Sequence, residues 1–250
     1  MNILSIGNSF SCDAQRYLHD LARSRGADIQ CVDLFIGGCS LERQYRELLG
    51  DRRSYIPEFN GHYADGFFVS LKEALTARSW DCITIQQASH YSCDYSTYEP
   101  WLSLLAAEVR RYCPGAKLLI HQTWGYEEGS DRLASQGFAT MEEMTLAAKD
   151  CYARAAEAIH ADGILPCGEV FLEALKLGCG KLHRDTFHAS YGLGRFLLAL
   201  TWYGRLTGDD VRAVTFRPFD EEVSEEILAR ASEEILARAK EAVAAVLNRG

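Results

Sequence analysis

The strongest constraint in this chain is a rhythm: short apolar runs, each closed by a turn, give way to stretches with helical periodicity. Ile3-Leu4-Ser5-Ile6 stops at Gly7-Asn8, and Cys31-Val32-Asp33-Leu34-Phe35-Ile36 stops at Gly37-Gly38. Cys82-Ile83-Thr84-Ile85, Lys117-Leu118-Leu119-Ile120 and Gly163-Ile164-Leu165-Pro166 repeat the pattern. Such runs read as buried strands. Between them, Tyr17, Leu18, Leu21 and Ala22 share one helical face, with Ser11 or Asp13 available as a cap. Further helical stretches run near Phe67 to Ala77, Trp101 to Tyr112, Met141 to His160 and Tyr191 to Leu206. Strands alternating with helices of that length are βαβ units, whose strands pair in parallel beneath helices on both faces. The expected fold class is α/β: a three-layer α/β/α sandwich with a central parallel five-stranded sheet.

A chain of 250 residues can bury roughly 70–75% of its unfolded surface, so a single domain over 1–250 needs no staple. The net charge of -9 argues against a phosphate-tracking surface and hence against nucleic acid as a partner. No apolar run is long enough for a membrane span, and the N-terminus lacks a basic, long-apolar leader. Nine cysteines without a C-x-x-C pair suit a reducing compartment, so a cytoplasmic location is expected.

Two regions break the rhythm: Gly50 to Gly66, and Tyr91 to Pro100 together with Gly125 to Gly137. Both are candidates for the walls of a ligand crevice, because open α/β sheets bind ligands beyond the carboxyl ends of their strands. The acidic tail repeats the octapeptide Ser-Glu-Glu-Ile-Leu-Ala-Arg-Ala from Ser224 and from Ser232. It reads as an amphipathic C-terminal helix at about 220–248 rather than a solenoid, which needs three or more longer repeats.

Chemistry concentrates at two distant places. Ser9 lies where the first strand stops and a helix begins, with backbone N–H groups facing the same volume; its bland reading is an N-cap. His183-Arg184-Asp185-Thr186-Phe187-His188 precedes the last long apolar helix. A serine nucleophile needs a base, and a carboxylate three residues from an imidazole can hold the ring's tautomer. His183, Asp185 and His188 could instead be read as metal ligands, but no second cluster supplies more. Trp124, Tyr126 and His90 lie at strand ends and offer aromatic faces for a substrate. Cys12 and Cys39 flank the region as small packing residues.

Ile-Gly-Asn-Ser-Phe-Ser, Gly-Gly-Cys-Ser-Leu, Gln-Gln-Ala-Ser and Arg-Asp-x-Phe-His, in that order, resemble the blocks of the SGNH (GDSL-like) hydrolase superfamily, in an uncharacterised bacterial branch. The resemblance implies the flavodoxin-like SGNH fold and a serine esterase without cofactor, with Ser9 as nucleophile, His188 as base and Asp185 orienting it. It implies an oxyanion hole from Ser9 N–H, a glycine N–H (Gly38, alternatively Gly37) and a side-chain amide. The family's usual Asn is absent from the third block, which leaves Gln86, or Gln87. The expected partner is a small ester, an O-acetyl group on a carbohydrate being one form; homo-oligomerisation stays open. The alternative is a non-catalytic flavodoxin-like module that binds an anion or small ligand at the strand ends.

Overall fold

A computed structural model describes residues 1–217 and 232–249. Seven strands form one sheet: β1 (Asn2–Ile6), β2 (Gln30–Phe35), β3 (Ile56–Phe59), β4 (His62–Tyr63), β5 (Cys82–Ile85), β6 (Lys117–Gln122) and β7 (Gly163–Pro166). Their order is β4-β3-β2-β1-β5-β6-β7. β2, β1, β5, β6 and β7 are parallel and are the five expected strands.

β3 and β4 are antiparallel additions at one edge. They come from Gly50 to Gly66, expected as a crevice wall. Asn60 and Gly61, at φ 53° and 83°, turn the hairpin. Two positive φ values in a two-residue loop are what an Asn-Gly pair tolerates best.

The helices are α1 (Ser9–Gln15), α2 (Leu18–Ser24), α3 (Leu41–Gly50), α4 (Leu71–Thr76), α5 (Trp101–Tyr112), α6 (Asp131–Ser135), α7 (Met141–Ala158), α8 (Cys167–Lys176), α9 (Leu193–Thr207) and α10 (Glu233–Leu247). The first helical stretch thus divides into two short helices. On β1, Ile3 faces one core and Leu4 and Ile6 the other, the period-2 alternation of a strand buried on both sides. α1, α2, α8, α9 and α10 cover one face; α3, α4, α5 and most of α7 cover the other.

The expected terminal helix is described only from Glu233, capped by Ser232, and packs on α8 and α9 of its own chain. The octapeptide copy from Ser224 lies outside the described residues. All nine cysteines are free. Among the described residues no helix is long and apolar enough to cross a membrane.

Candidate active site

Gly7 lets the chain pass from β1 straight into α1, because a Cβ there would lie 1.9 Å from Ser11 Oγ. That oxygen is fixed: it accepts the Asn8 N–H at 3.1 Å and donates to the Asn8 carbonyl at 2.8 Å. The cap is Asn8, rather than Ser11 or Asp13, and its side-chain oxygen accepts the Phe10 N–H at 3.1 Å. An asparagine cap frees the following residue from that duty. Ser9 is therefore the first helical residue, and its Oγ lies 2.8 Å from His188 Nε2.

His188 sits on a loop pinned at its base, where His183 and Ala189 form an isolated bridge and Ser190 N–H donates to the Leu182 carbonyl at 2.6 Å. Asp185 closes that loop on itself. Its Oδ1 accepts the His188 N–H at 2.9 Å and its Oδ2 lies 2.7 Å from His188 Nδ1. With a carboxylate as acceptor, Nδ1 carries the proton and Nε2 is left to accept from the Ser9 hydroxyl. Partial burial alone would raise the Asp185 pKa, but the His188 ring and backbone N–H groups, with nearby positive charge, hold it below the usual carboxylate range. His183 is not part of this group, since its Nε2 lies 3.0 Å from the Gly125 carbonyl oxygen.

What holds the loop against α1 is Asp13, one turn beyond Ser9 on the same helix. Its buried carboxylate accepts from Arg184 at 2.9 Å, from Arg195 at 2.8 Å and from Ala189 N–H at 3.1 Å. From the sequence alone Asp13 reads only as a helix cap. The i, i+4 spacing from Ser9 and the Arg184 beside Asp185 were the available signals.

The loop after β2 packs on the same spot, because Asn8 Nδ2 donates to the Cys39 carbonyl at 3.3 Å. Gly38 lies exposed on it at φ 58°, and an added Cβ would meet open space, so the backbone angle rather than crowding calls for glycine. Among the described residues neither Ser9 N–H nor Gly37 or Gly38 N–H has a hydrogen-bond partner.

The two glutamines are engaged elsewhere. Gln86 Nε2 donates to Asn8 Oδ1 at 2.8 Å, and Gln86 Oε1 lies 2.6 Å from His121 Nδ1. Burial pushes His121 down to about 3, so its neutral ring donates from Nδ1. Gln86 thus orients the Asn8 cap. Gln87 Oε1 accepts from Leu41 and Ala88 N–H, at 3.0 and 2.9 Å, and its Nε2 donates to the Thr97 carbonyl at 3.1 Å. It ties three loops together.

The expected aromatic walls need correction. Trp124 is fully buried, stacked between Phe10 at 4.4 Å and Phe171 at 4.8 Å, and its Nε1 donates to the Phe187 carbonyl at 2.8 Å. It is a platform under the Ser9 and His188 segments. Tyr126 is also buried, its hydroxyl 3.0 Å from Ser89 Oγ. His90 is exposed, with its ring 4.2 Å from that of Tyr91. Phe187, half-buried, is the aromatic ring set against the base, 3.8 Å from the His188 ring.

Behind α1, Cys12 is more than packing. Its thiol donates to Asp33 Oδ2 at 3.1 Å, and Cys12, Asp33 and Glu58 bring atoms within 4.8 Å of one another, all buried. Asp33 and Glu58 face each other across the β2–β3 register. Burial first, and then the opposing acid, pushes Asp33 well above the usual carboxylate range, and burial raises Glu58 as well.

Among known proteins, a crystal structure of a DUF4886 family protein from Bacteroides uniformis superposes with a TM-score of 0.89 at 28% identity, covering 100% of this chain and 95% of that one. A protein from Parabacteroides merdae described as a GDSL-like lipase gives a TM-score of 0.55 at 16% identity, over 83% of this chain and 95% of that one. An alpha/beta hydrolase enzyme from the metagenome of Lake Arreo, Spain, gives 0.55 at 15%, over 83% and 94%. At those identities the last two show a shared fold, that of GDSL-like hydrolases. No curated protein matches. The family model DUF4886, described as a domain of unknown function, matches residues 2–235, and the chain belongs to that family.

Proposed function

We propose that the protein is a serine esterase of the SGNH type. One observation carries the reading: Ser9 Oγ lies 2.8 Å from His188 Nε2, while Asp185 lies 2.7 Å from the ring's other nitrogen. A serine at its ordinary pKa is a weak nucleophile and needs such a base. Ser9 Oγ attacks the ester carbonyl carbon and His188 Nε2 takes its proton. The imidazolium then returns that proton to the departing alkoxide. Water, deprotonated by the same nitrogen, hydrolyses the acyl-Ser9 ester and restores the hydroxyl. Asp185 stays ionised and holds the ring.

The unpartnered Ser9 and Gly38 N–H groups, with Gly37 as the alternative to Gly38, are the proposed donors to the tetrahedral oxyanion. Gln86 is assigned to positioning, because its amide already serves Asn8. No cofactor enters the scheme. The substrate class is a small acyl ester; the buried Trp124 and Tyr126 lend no support to sugar stacking, so an O-acetyl carbohydrate rests on the family resemblance. A module that only binds an anion has no use for His188 beside Ser9. Release of p-nitrophenol from its acetate is the test: Ser9→Ala should lose about 10⁴-fold or more in kcat, and equal rates in both proteins would dismiss the assignment.

A further inference from the structure

We propose that Arg132 makes this site selective for esters that carry a negative charge. This deepens the esterase reading and rests on it.

Arg132 lies on α6, exposed, with its guanidinium carbon 4.0 Å over the Phe187 ring and 5.9 Å from that of Tyr126. Phe187 in turn lies against His188, its ring 3.8 Å away, so the cation stands one aromatic ring removed from the base. Its segment is joined to the His188 loop by Glu127 N–H, which donates to the Thr186 carbonyl at 2.7 Å.

None of the nearby acids among the described residues pairs with it, not even Asp131, its neighbour on α6. Glu127 pairs with Lys181 at 2.8 Å, and the Glu128 carboxylate accepts the Met141 N–H at 2.8 Å. Asp185 is bound to His188. The other two guanidiniums near the loop, Arg184 and Arg195, converge on Asp13. Among the described residues no carboxylate pairs with Arg132. The chain as a whole carries -9, which makes a cation without an ion-pair partner at this mouth a distinct feature. The exposed His90 lies within reach of its charge: partial desolvation of the ring first, then the charge of Arg132, holds that imidazole below its ordinary pKa.

A guanidinium over an aromatic ring still has N–H groups to offer a planar anion, since it carries five donors. A carboxylate, on either the acyl or the alcohol part of an ester bound at Ser9, would meet it there. The donor chemistry is the same for both.

The test compares three esters with wild type, Arg132→Ala, Arg132→Glu and Arg132→Lys: neutral p-nitrophenyl acetate, mono-p-nitrophenyl succinate with the charge on the acyl part, and 3-acetoxybenzoate with the charge on the alcohol part. In Arg132→Ala the kcat/KM ratio of one anionic ester to the neutral one should fall about ten-fold, mostly through KM. Arg132→Glu should lower it further, Arg132→Lys should restore part of it, and high salt should shrink the wild-type ratio. The anionic ester that responds identifies the side of the substrate that meets Arg132. Ratios unchanged across all four proteins, with ester hydrolysis still dependent on Ser9, would overturn the assignment of Arg132 and leave the esterase reading standing. Hydrolysis that survives in Ser9→Ala at the wild-type rate would overturn both.

Discussion

Ser9 and His188 stand 179 positions apart in the chain, and their side chains meet at 2.8 Å. Two devices bring them together. Asn8 takes the capping role that would otherwise bind the Ser9 hydroxyl, and Asp13, four residues on, seizes the loop that carries His188.

The Asp13 carboxylate is almost wholly buried between two guanidiniums. Removing one member of a buried charge network leaves the others uncompensated, at a cost of about 3–5 kcal/mol. Asp13→Ala should therefore lose about that much in urea unfolding and lose turnover with it. Ser9→Ala, which strands no charge, should unfold near the wild-type midpoint. Equal stability in Asp13→Ala and wild type would mean that the loop is held by other contacts.

Trp124 separates a structural from a recognition role. Trp124→Ala should cost about 3–5 kcal/mol of unfolding free energy, because the ring is enclosed by Phe10 and Phe171 and the deletion leaves a cavity. A variant of undiminished stability with only a raised KM would restore Trp124 to the substrate wall.

The Asp33–Glu58 pair makes a prediction about pH. Both folded-state pKa values are raised, so the native state holds protons that the unfolded chain releases above about pH 4. Stability from these groups is thus fully present below that point and declines as pH rises through the folded values. Glu58→Gln removes one titrating member, and its unfolding midpoint should fall less steeply than that of wild type between pH 4.5 and 8. Parallel slopes would show that the pair does not titrate in this way.

The five parallel strands were readable because each is a self-contained apolar run with its own stop, and strand-end placement drew attention to Ser9 and to Asp185 with His188. Burial was harder. Position at a strand end places Trp124 at the right edge of the sheet but does not say whether the ring turns inward, and Phe10 and Phe171, which enclose it, are distant in sequence. Asp13 had the same difficulty, since its arginines lie 171 and 182 positions away. The β3–β4 hairpin was different. Its Asn60-Gly61 signal is local and strong, but the polar residues around it favoured a loop. Gln86 carries the amide that the third block demands, yet which partner a buried amide chooses depends on Asn8 and His121 across two strands.

The most direct test of the central claim is covalent. Intact-mass measurement after exposure to a fluorophosphonate should show one adduct, mapping to the peptide that contains Ser9. It should be absent in Ser9→Ala and slowed by orders of magnitude in His188→Ala. No adduct on the folded wild-type protein, or one that forms at the wild-type rate in Ser9→Ala, would contradict the account.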